Sequence, residues 1–374
     1  MKIGIDARLW NESGVGRYIR NLVFELSVID KDNDYVLFFR KEEFNQVEIR
    51  AKNFTKKLAD IPWHTLSEQL KFPAVIAEEE VDIMHFPYFS VPIFYNRPFI
   101  VTIHDLILHH FPTGKASTLP RFVYSAKYFG YKLILQAAAD KSSKIITVSS
   151  ATKSEIRDHL QIRDEKIVVI HEGIAKLKAS QKLENNIKKF SSFENGQYIL
   201  YVGNAYPHKN LQLLIHAFLE ARKTNETSQL ILVGTRDYFY ARLEKSFKDA
   251  VDANAIVFFG KATDDELALL YENAKATIVP SLMEGFGLPV LEAMSCGSLV
   301  IASNIPALKE IGGDVPIYFN SNSLDELETI IQEVLGKSSA TYKERIEKGK
   351  ALVKKYSWQK MAKETLKIYT QAAY

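Results

Sequence analysis

The chain has 374 residues, of which 47% are hydrophobic and 25% are charged, and its formal net charge at pH 7 is +3. This length exceeds one ordinary domain and suits two, and this composition is that of a globular protein with sizeable hydrophobic cores. The small net charge gives no electrostatic reason to expect a nucleic-acid partner. The single cysteine, Cys296, excludes an internal disulfide and fits a reducing compartment.

The N-terminus and the apolar runs exclude two further classes of protein. Lys2, Asp6 and Arg8 interrupt what would be the apolar region of a signal peptide. No uninterrupted apolar run reaches about 18 residues, so the sequence predicts no membrane-spanning helix. We therefore expect a cytoplasmic protein of two domains.

Short apolar runs rich in β-branched residues alternate with helical segments along the chain. Such runs are typical of strands that are buried on both faces of a parallel sheet. Their alternation with helices predicts doubly wound α/β units. The predicted strands are KIGIDA, YVLFF, IMHFP, FIVTIHD, KIITVS and KIVVIHEGI in the first half, and QYILYVG, SQLILVG, AIVFFG, KATIVPS, SLVIAS and VPIYFN in the second.

A polar, lysine-rich stretch over residues 175–197 separates the two halves and is the best candidate for a linker. We predict an N-terminal domain over residues 1–175 and a C-terminal domain over residues 196–355. We also predict a final helix over residues 356–374, because its apolar positions share one helical face. Ser357 is a candidate for its N-terminal cap. Ligands of open α/β sheets bind beyond the carboxyl ends of strands, so the informative residues should follow strands.

After the first predicted strand, two glycines open a helix. Gly14 and Gly16 would let the backbone approach a ligand, and the free N–H groups of the helix would suit a phosphate or carboxylate. An ordinary tight turn explains the same pattern equally well. Arg8 and Arg17 could add charge-assisted contacts to an anion or lie in solvent.

Two histidines end predicted strands of the first half. His104 follows FIVTI, where it could donate to a hydroxyl or phosphate or act as an acid or base. The alternative is a structural histidine that is bonded to nearby backbone. His85, at the end of IMHFP, is the weaker candidate of the two.

The strand-end loops of the second half contain a lysine and several glycines. Lys209 follows QYILYVG close to the start of a helix, where the helix dipole disfavours a cation and a bound anion would compensate. Gly234 and Thr235 follow SQLILVG, and Gly260 and Lys261 follow AIVFFG. These four positions suit backbone contacts to a base or a sugar.

The stretch SLMEGFGLPVLEA places two glutamates around a Gly-Phe-Gly turn. The glycines expose the backbone of a loop that enters a helix, which makes a cradle for a diphosphate. Glu284 precedes this helix and could face a polar ligand. Glu292 lies about one turn inside and could accept hydrogen bonds from vicinal hydroxyls such as those of ribose. Capping or surface roles for both glutamates are the alternative.

These residues resemble the family 4 glycosyltransferases. The resemblance is carried by GVGRY, TIHDL, VSSATKSEI, VIHEG, YVGNAYPHKNLQLLI and PSLMEGFGLPVLEAMSCG, in that order along nearly the whole chain. It implies the GT-B architecture, in which two Rossmann-like doubly wound domains face a cleft and a C-terminal helix crosses back to the N-terminal domain. It also implies transfer from a nucleotide-sugar donor to an acceptor with retention of anomeric configuration and without an obligatory metal or other cofactor.

The resemblance assigns roles to individual residues. His104 would contact the transferred sugar, Lys209 would neutralise the leaving diphosphate, and Glu284 would hold sugar hydroxyls. Many members have an arginine at one of the positions that Asn204 and His208 occupy here, so the second cationic contact is open to Arg8, Arg17 or Arg236. The implied donor site comprises Gly14, Gly16, Asn204, His208, Gly234, Thr235, Gly260, Lys261, Gly285, Phe286, Gly287, Leu288 and Glu292.

The donor and acceptor are less determined than the reaction class. Similarity to bacterial mannosyltransferases slightly favours GDP-mannose, with a UDP-sugar next, and a glycan or lipid-linked acceptor. Residues 106–139 lack acidic side chains, and Lys115, Arg121, Lys127 and Lys132 lie there among aromatic residues. A helix of this composition could rest on an anionic membrane or be a core helix with basic edges. A nucleotide-sugar epimerase of the same fold and a catalytically silent scaffold are the alternative functions.

Overall fold

The apolar runs of the first half form one parallel sheet in the computed structural model, which describes residues 1–112, 121–174, 177 and 197–372. The strand order is β3-β2-β1-β4-β5-β6-β7. The strands are β1 (Lys2–Asp6), β2 (Asp34–Phe39), β3 (Phe54–Leu58), β4 (Ile83–Phe86), β5 (Phe99–Ile103), β6 (Lys144–Thr147) and β7 (Ile167–Val169). The helices between them are α1 (Gly14–Ile29), α2 (Lys41–Gln46), α3 (Leu66–Ala77), α4 (Ile107–His110), α5 (Arg121–Lys141) and α6 (Ser150–Leu160).

Strand β3 is the one strand of this sheet that the apolar runs do not predict. Its sequence, FTKKL, is mostly polar, and its side chains beyond Phe54 are half-buried or exposed. It pairs only with β2, in parallel, at the edge of the sheet. An edge strand lacks a neighbour on one side and tolerates lysines that a central strand excludes, so hydrophobic periodicity does not reveal it.

The second half forms a six-stranded parallel sheet with the order β10-β9-β8-β11-β12-β13. All of its strands match predicted apolar runs. They are β8 (Tyr198–Val202), β9 (Gln229–Val233), β10 (Ile256–Gly260), β11 (Ala276–Val279), β12 (Val300–Ser303) and β13 (Ile317–Phe319). The helices are α7 (Leu211–Arg222), α8 (Tyr238–Ser246), α9 (Lys248–Asp252), α10 (Asp264–Asn273), α11 (Leu288–Ser295), α12 (Pro306–Gly312), α13 (Leu324–Gly336) and α14 (Lys343–Leu352).

The last helix, α15 (Trp358–Ala372), returns to the first sheet. Contacts divide the chain into one unit of Met1–Gly173 with Tyr356–Tyr374 and a second unit of Ile174–Lys355. The apolar face that the sequence predicts for this helix is buried, and the Ser357 side chain accepts a hydrogen bond from the backbone N–H of Lys360 at 3.2 Å. The predicted cap and the predicted buried face are therefore both confirmed.

The backbone at the start of α15 packs closely against Gly173. A Cβ atom on Gly173 would lie 2.1 Å from the backbone nitrogen of Trp358, so the two chain segments approach more closely than any side chain at residue 173 permits. Further along, the hydroxyl of Tyr369 lies 2.7 Å from Nδ1 of His85, whose Nε2 lies 2.9 Å from the hydroxyl of Thr102. His85 is fully buried, and it joins α15 to the first sheet.

Two sequence predictions fall partly outside the described residues. Only residue 177 and residue 197 of the predicted linker are described, and Lys115 of the basic segment is not. Among the helices in the described part of the chain, none is both long enough and apolar enough to cross a membrane.

Candidate functional site

The strand order of the second sheet reverses between β8 and β11, and the loops that follow these two strands meet there. In an open α/β sheet this reversal creates a crevice at the carboxyl ends of the strands, where ligands bind. The loop after β8 ends in a single 3-10 turn, Pro207–Lys209. The loop after β11 is joined to that turn by a hydrogen bond from the Leu282 N–H to the His208 carbonyl at 2.7 Å.

This junction brings together Lys209 and Glu284, two of the charged residues that the sequence singles out. Nζ of Lys209 lies 2.7 Å from Oε1 of Glu284, and their side chains are 14% and 8% exposed. The Ser281 hydroxyl donates to the same carboxylate oxygen at 2.6 Å. Burial by itself raises the pKa of Glu284, but the Lys209 charge and these hydrogen bonds outweigh it and hold the pKa below the ordinary value of 4.5. The Glu284 carboxyl is therefore ionised at neutral pH.

The second glutamate lies deeper, on α11. Gly287 precedes this helix at a φ of +102°, a conformation that favours glycine, and Pro289 occupies the first turn as predicted. Gly285, Phe286 and Gly287 are buried, and Leu288 is the first helical residue. Glu292 is only 3% exposed, and the Tyr271 hydroxyl donates to it at 3.3 Å.

The loops after β8, β9 and β10 run side by side at the same edge of the sheet. The Gly203 N–H donates to the Val233 carbonyl at 2.9 Å, and the Gly234 N–H donates to the Gly260 carbonyl at 3.0 Å. A Cβ on Gly234 would lie 2.0 Å from the Gly203 carbonyl oxygen. Glycine at position 234 is thus required by the close approach of two loops.

The residues next to Gly234 and Gly260 face solvent. Thr235 and Lys261 are exposed. Gly260 has a φ of +87°, and nothing lies within 4 Å of the position of a Cβ there. These two loops therefore leave open space and accessible side chains beside the crevice.

His208 and Asn204 do not supply a second positive charge. Burial, with a smaller effect from the Lys209 charge, lowers the pKa of His208 to about 4, so its ring is neutral at pH 7. The Oδ1 atom of Asn204 accepts a hydrogen bond from the Tyr206 N–H at 3.3 Å. Lys209 is thus the basic side chain that the loop after β8 contributes to this junction.

Comparisons with known proteins agree with this arrangement. Residues 13–175 match the family described as Glycosyltransferase Family 4, and residues 182–352 match the family described as Glycosyl transferases group 1. Together the two matches span most of the chain. The chain belongs to the family 4 glycosyltransferases.

This glycosyltransferase has curated relatives and structural neighbours of the same type. It is 27% identical to the O-antigen chain mannosyltransferase B of Escherichia coli over 376 residues, which cover 96% of each chain. It is also 27% identical to the O-antigen chain mannosyltransferase RfbU of Salmonella typhimurium, over 75% of this chain and 72% of that one. The structure of HepE from Anabaena in complex with UDP and glucose superposes with a TM-score of 0.76, at 17% identity, over 99% of each chain. The fold is GT-B.

In the first unit of the glycosyltransferase, both ring nitrogens of His104 are engaged. Nε2 lies 3.0 Å from the Pro87 carbonyl oxygen, and Nδ1 lies 3.2 Å from Oε1 of Glu172. Burial by itself lowers the pKa of His104. The hydrogen bond to Glu172, the charge of Glu172 and the hydrogen bond to the Pro87 carbonyl outweigh burial, so the pKa is raised. The bond to the Pro87 carbonyl is the backbone bond expected of a structural histidine. Because both ring nitrogens are engaged, a contact between His104 and a sugar has to replace one of these bonds.

Gly16 and Gly14, the two first-unit glycines assigned to the donor site, differ in the space around them. A Cβ on Gly16 would lie 2.5 Å from the Trp10 carbonyl oxygen and 2.8 Å from that of Leu9, so this glycine accommodates its own preceding loop. Gly14, in contrast, is exposed with nothing within 4 Å of a Cβ position.

The three arginines proposed as the second cationic contact differ in their burial and in their partners. Arg8 is buried, with Nη2 at 2.7 Å from Asp6 and 2.6 Å from Glu68, so the expectation that it is free for an anion is wrong. Arg236 is exposed and pairs with Glu244. Arg17 is half-buried on the first turn of α1.

Two residues of these sites carry no role in the sequence analysis. Glu172 is 5% exposed and follows β7, so the rule that informative residues follow strands applies to it as well. Ser281 follows β11 and is fully buried. A serine three residues before a glutamate carries no distinctive signal, and its bond to Glu284 depends on how the loop folds.

Proposed function

We propose that this glycosyltransferase moves a hexose from a nucleoside-diphosphate sugar to a hydroxyl of a glycan or lipid-linked acceptor. The buried pair of Lys209 and Glu284 at the switch point of the second sheet carries the proposal. A cation at this position matches the charge of a diphosphate, and a carboxylate beside it accepts hydrogen bonds from sugar hydroxyls. The complex of HepE with UDP and glucose supports a nucleotide-sugar donor.

GDP-mannose is the preferred donor, and a UDP-sugar is the next choice. The preference is supported by the two mannosyltransferases that are 27% identical to this chain. The competing choice is supported by the UDP complex of the structural neighbour, at the lower identity of 17%. The acceptor would be bound by the first unit, where His104 is the proposed contact to the transferred sugar.

The donor would lie across the strand-end loops of the second unit. Its diphosphate would contact Lys209 and the backbone of Gly285–Leu288, its sugar would contact Glu284, and its ribose would contact Glu292. The base would lie along the loops of Gly234 and Gly260. The proposed role of Glu292 fits its burial, since a carboxylate in a low-dielectric site binds a diol more strongly than one in water.

Transfer is proposed to retain the anomeric configuration by front-side displacement. The bond between the anomeric carbon and the diphosphate oxygen breaks, while the acceptor oxygen forms its bond to the same carbon on the same face. The acceptor proton passes to the departing diphosphate oxygen. Lys209 stabilises the developing charge, so catalysis consists of orientation and electrostatic stabilisation, without an obligatory metal in the transfer.

The first experiment is nucleotide release from GDP- and UDP-sugars without acceptor, in the full chain and in Glu292→Ala. We expect slow release from one donor and its loss in the variant, which would identify the donor. Product analysis separates the alternatives, because an epimerase changes the stereochemistry of the sugar ring without an acceptor. A chain that neither releases nor binds any nucleotide is a silent scaffold, and the proposal fails.

A second part of the proposal concerns location, which we place in the cytoplasm with peripheral contact to an anionic membrane. Helix α5 supports this, because Phe129 and Leu133 lie one turn apart and are 63% and 52% exposed. Lys132 lies over the ring of Tyr128 at 4.9 Å. Exposed apolar residues beside lysines are the composition of a surface-binding helix.

Sedimentation with anionic vesicles tests the membrane contact. The double variant Lys127→Gln/Lys132→Gln should lose binding, because each lysine near the surface contributes about 1 kcal/mol. The matched control is Lys363→Gln/Lys367→Gln, which removes two exposed lysines from α15. Equal binding by both double variants would contradict the proposal.

A further inference from the structure

Helices α4 and α6 of the first unit bring three potential metal ligands together. His110 ends α4, while Glu155 and His159 lie one turn apart on α6. Each offers one ligand atom, and these three atoms all lie within 4.8 Å of one another. We call these residues the His–Glu–His cluster.

Both imidazoles of the cluster are directed at one carboxylate oxygen. Nε2 of His110 lies 2.6 Å from Oε2 of Glu155, and Nε2 of His159 lies 3.3 Å from the same oxygen. Zinc bonds to nitrogen and oxygen of about 2.0–2.1 Å place tetrahedral ligand atoms about 3.3 Å apart. Of the three distances among the ligand atoms, one already has this value and one reaches it by a shift of less than about 1 Å. The third, between the two histidine nitrogens, is no more than 4.8 Å.

A third imidazole adjoins the cluster. The ring of His109 lies 5.3 Å from that of His159 and 5.6 Å from that of His110, between centroids. Its Nδ1 is buried and has no hydrogen-bond partner among the described residues. A third imidazole ring thus packs beside the cluster.

The cluster has the composition and accessibility of a metal site. Two imidazoles and one carboxylate are a common ligand set for zinc, which is completed by water in a four-coordinate site. The three side chains are between 31% and 38% exposed, so an ion and a water molecule can reach them. Glu155 and His159 also have the spacing that places two ligands on one helical face.

We propose that the His–Glu–His cluster binds one Zn²⁺ ion that clamps α4 to α6. The ligands are Nε2 of His110, Oε2 of Glu155 and Nε2 of His159, with a water molecule in the fourth position. Helix α4 begins three residues after His104, at residue 107, and has only four residues with no side-chain cap. A bond from its last residue to α6 fixes the segment that follows β5. The proposal is independent of the transfer reaction, which uses none of these residues.

Zinc binding to the tag-free full chain tests the proposal, by competition with a chromogenic chelator. Absorption spectra of the Co²⁺-substituted chain report the coordination number. The variants are His159→Gln and His110→Gln, and the matched control is His216→Gln, which changes an exposed histidine on α7 of the second unit. Circular dichroism of each metal-free chain shows whether it is folded, and a second ligand variant answers the question where one does not fold.

We expect one Zn²⁺ per chain in the wild type and in His216→Gln. Binding should weaken by more than about 100-fold in either ligand variant, since loss of an outer-shell partner alone costs about 10–100-fold. Zinc should raise the unfolding temperature of the wild type and leave that of the ligand variants unchanged. Absence of stoichiometric binding to the wild type, or equal binding by His159→Gln and His216→Gln, would overturn the proposal.

Discussion

Replacement of Lys209 by methionine leaves Glu284 as a buried carboxylate without its cation. Removal of one partner of a buried pair costs about 3–5 kcal/mol, and the remaining bond from Ser281 places this case near the lower end. For a domain of this size, each kcal/mol corresponds to about 2–4 °C in the unfolding temperature. We therefore expect Lys209→Met to unfold roughly 6–12 °C below the wild type at pH 7.

The pH dependence of the stability loss in Lys209→Met shows whether the unpaired charge of Glu284 causes it. The pKa of Glu284 is lowered in the folded wild type, so its contribution to stability is present above the ordinary pKa of 4.5 and disappears as pH falls through the lowered value. In Lys209→Met, burial is no longer outweighed by the lysine charge, and the pKa of Glu284 rises. The stability difference between the two chains should therefore be largest at neutral pH and shrink in acid.

Scanning calorimetry of five chains measures the contribution of the Lys209–Glu284 pair to stability. Lys209→Met, Glu284→Gln and the double variant complete a cycle with the wild type, and Lys245→Met is the control for loss of an exposed lysine. The double variant should recover most of the stability that Lys209→Met loses, because no unpaired charge remains. Additive losses in the cycle, or an unfolding temperature of Lys209→Met equal to that of Lys245→Met, would refute the reasoning.

Three further predictions concern the first unit. Tyr369→Phe removes the hydroxyl 2.7 Å from the buried histidine of β4 and should cost about 1–3 kcal/mol in urea unfolding; no loss would show that the bond does not hold α15. Gly173→Ala places a Cβ 2.1 Å from a backbone nitrogen, and overpacking of about 1–3 kcal/mol should loosen α15 and expose it to proteolysis. The raised pKa of His104 makes its contribution to stability complete below the ordinary value of 6.5 and lost as pH rises through the raised value. Glu172→Gln should therefore flatten the fall in unfolding temperature above about pH 6.5, and an unchanged slope would count against the pair.

Most of the fold is readable from the sequence because parallel sheets require continuous apolar strands. Twelve predicted runs correspond to strands, and the amphipathic face of α15 was predicted down to its cap at Ser357. Strand β3 was missed because an edge position accepts lysines. Its existence depends on pairing with β2, which periodicity within FTKKL does not express.

In the candidate site, individual residues could be predicted from the sequence, but their partners could not. Lys209 and Glu284 were predicted separately from their positions after strands, but their direct pairing depends on β8 and β11 being neighbours, which is a property of the sheet order. Arg8 was predicted as a possible anion contact, and the structure instead buries it against Glu68, a residue 60 positions away. Partners that are remote in sequence decide whether a charged side chain is available.

Binding of nucleoside diphosphates to the second unit's loops is the central claim, and calorimetric titration of GDP and UDP into the full chain tests it most directly. Glu292→Gln is the test variant, and Glu226→Gln makes the same change in an exposed loop. We predict one site for GDP in the wild type and in Glu226→Gln, and binding weakened by about 10–100-fold in Glu292→Gln, the effect of losing charge-assisted hydrogen bonds. Failure of the wild type to bind either nucleotide, or equal affinity in the two variants, would contradict the account.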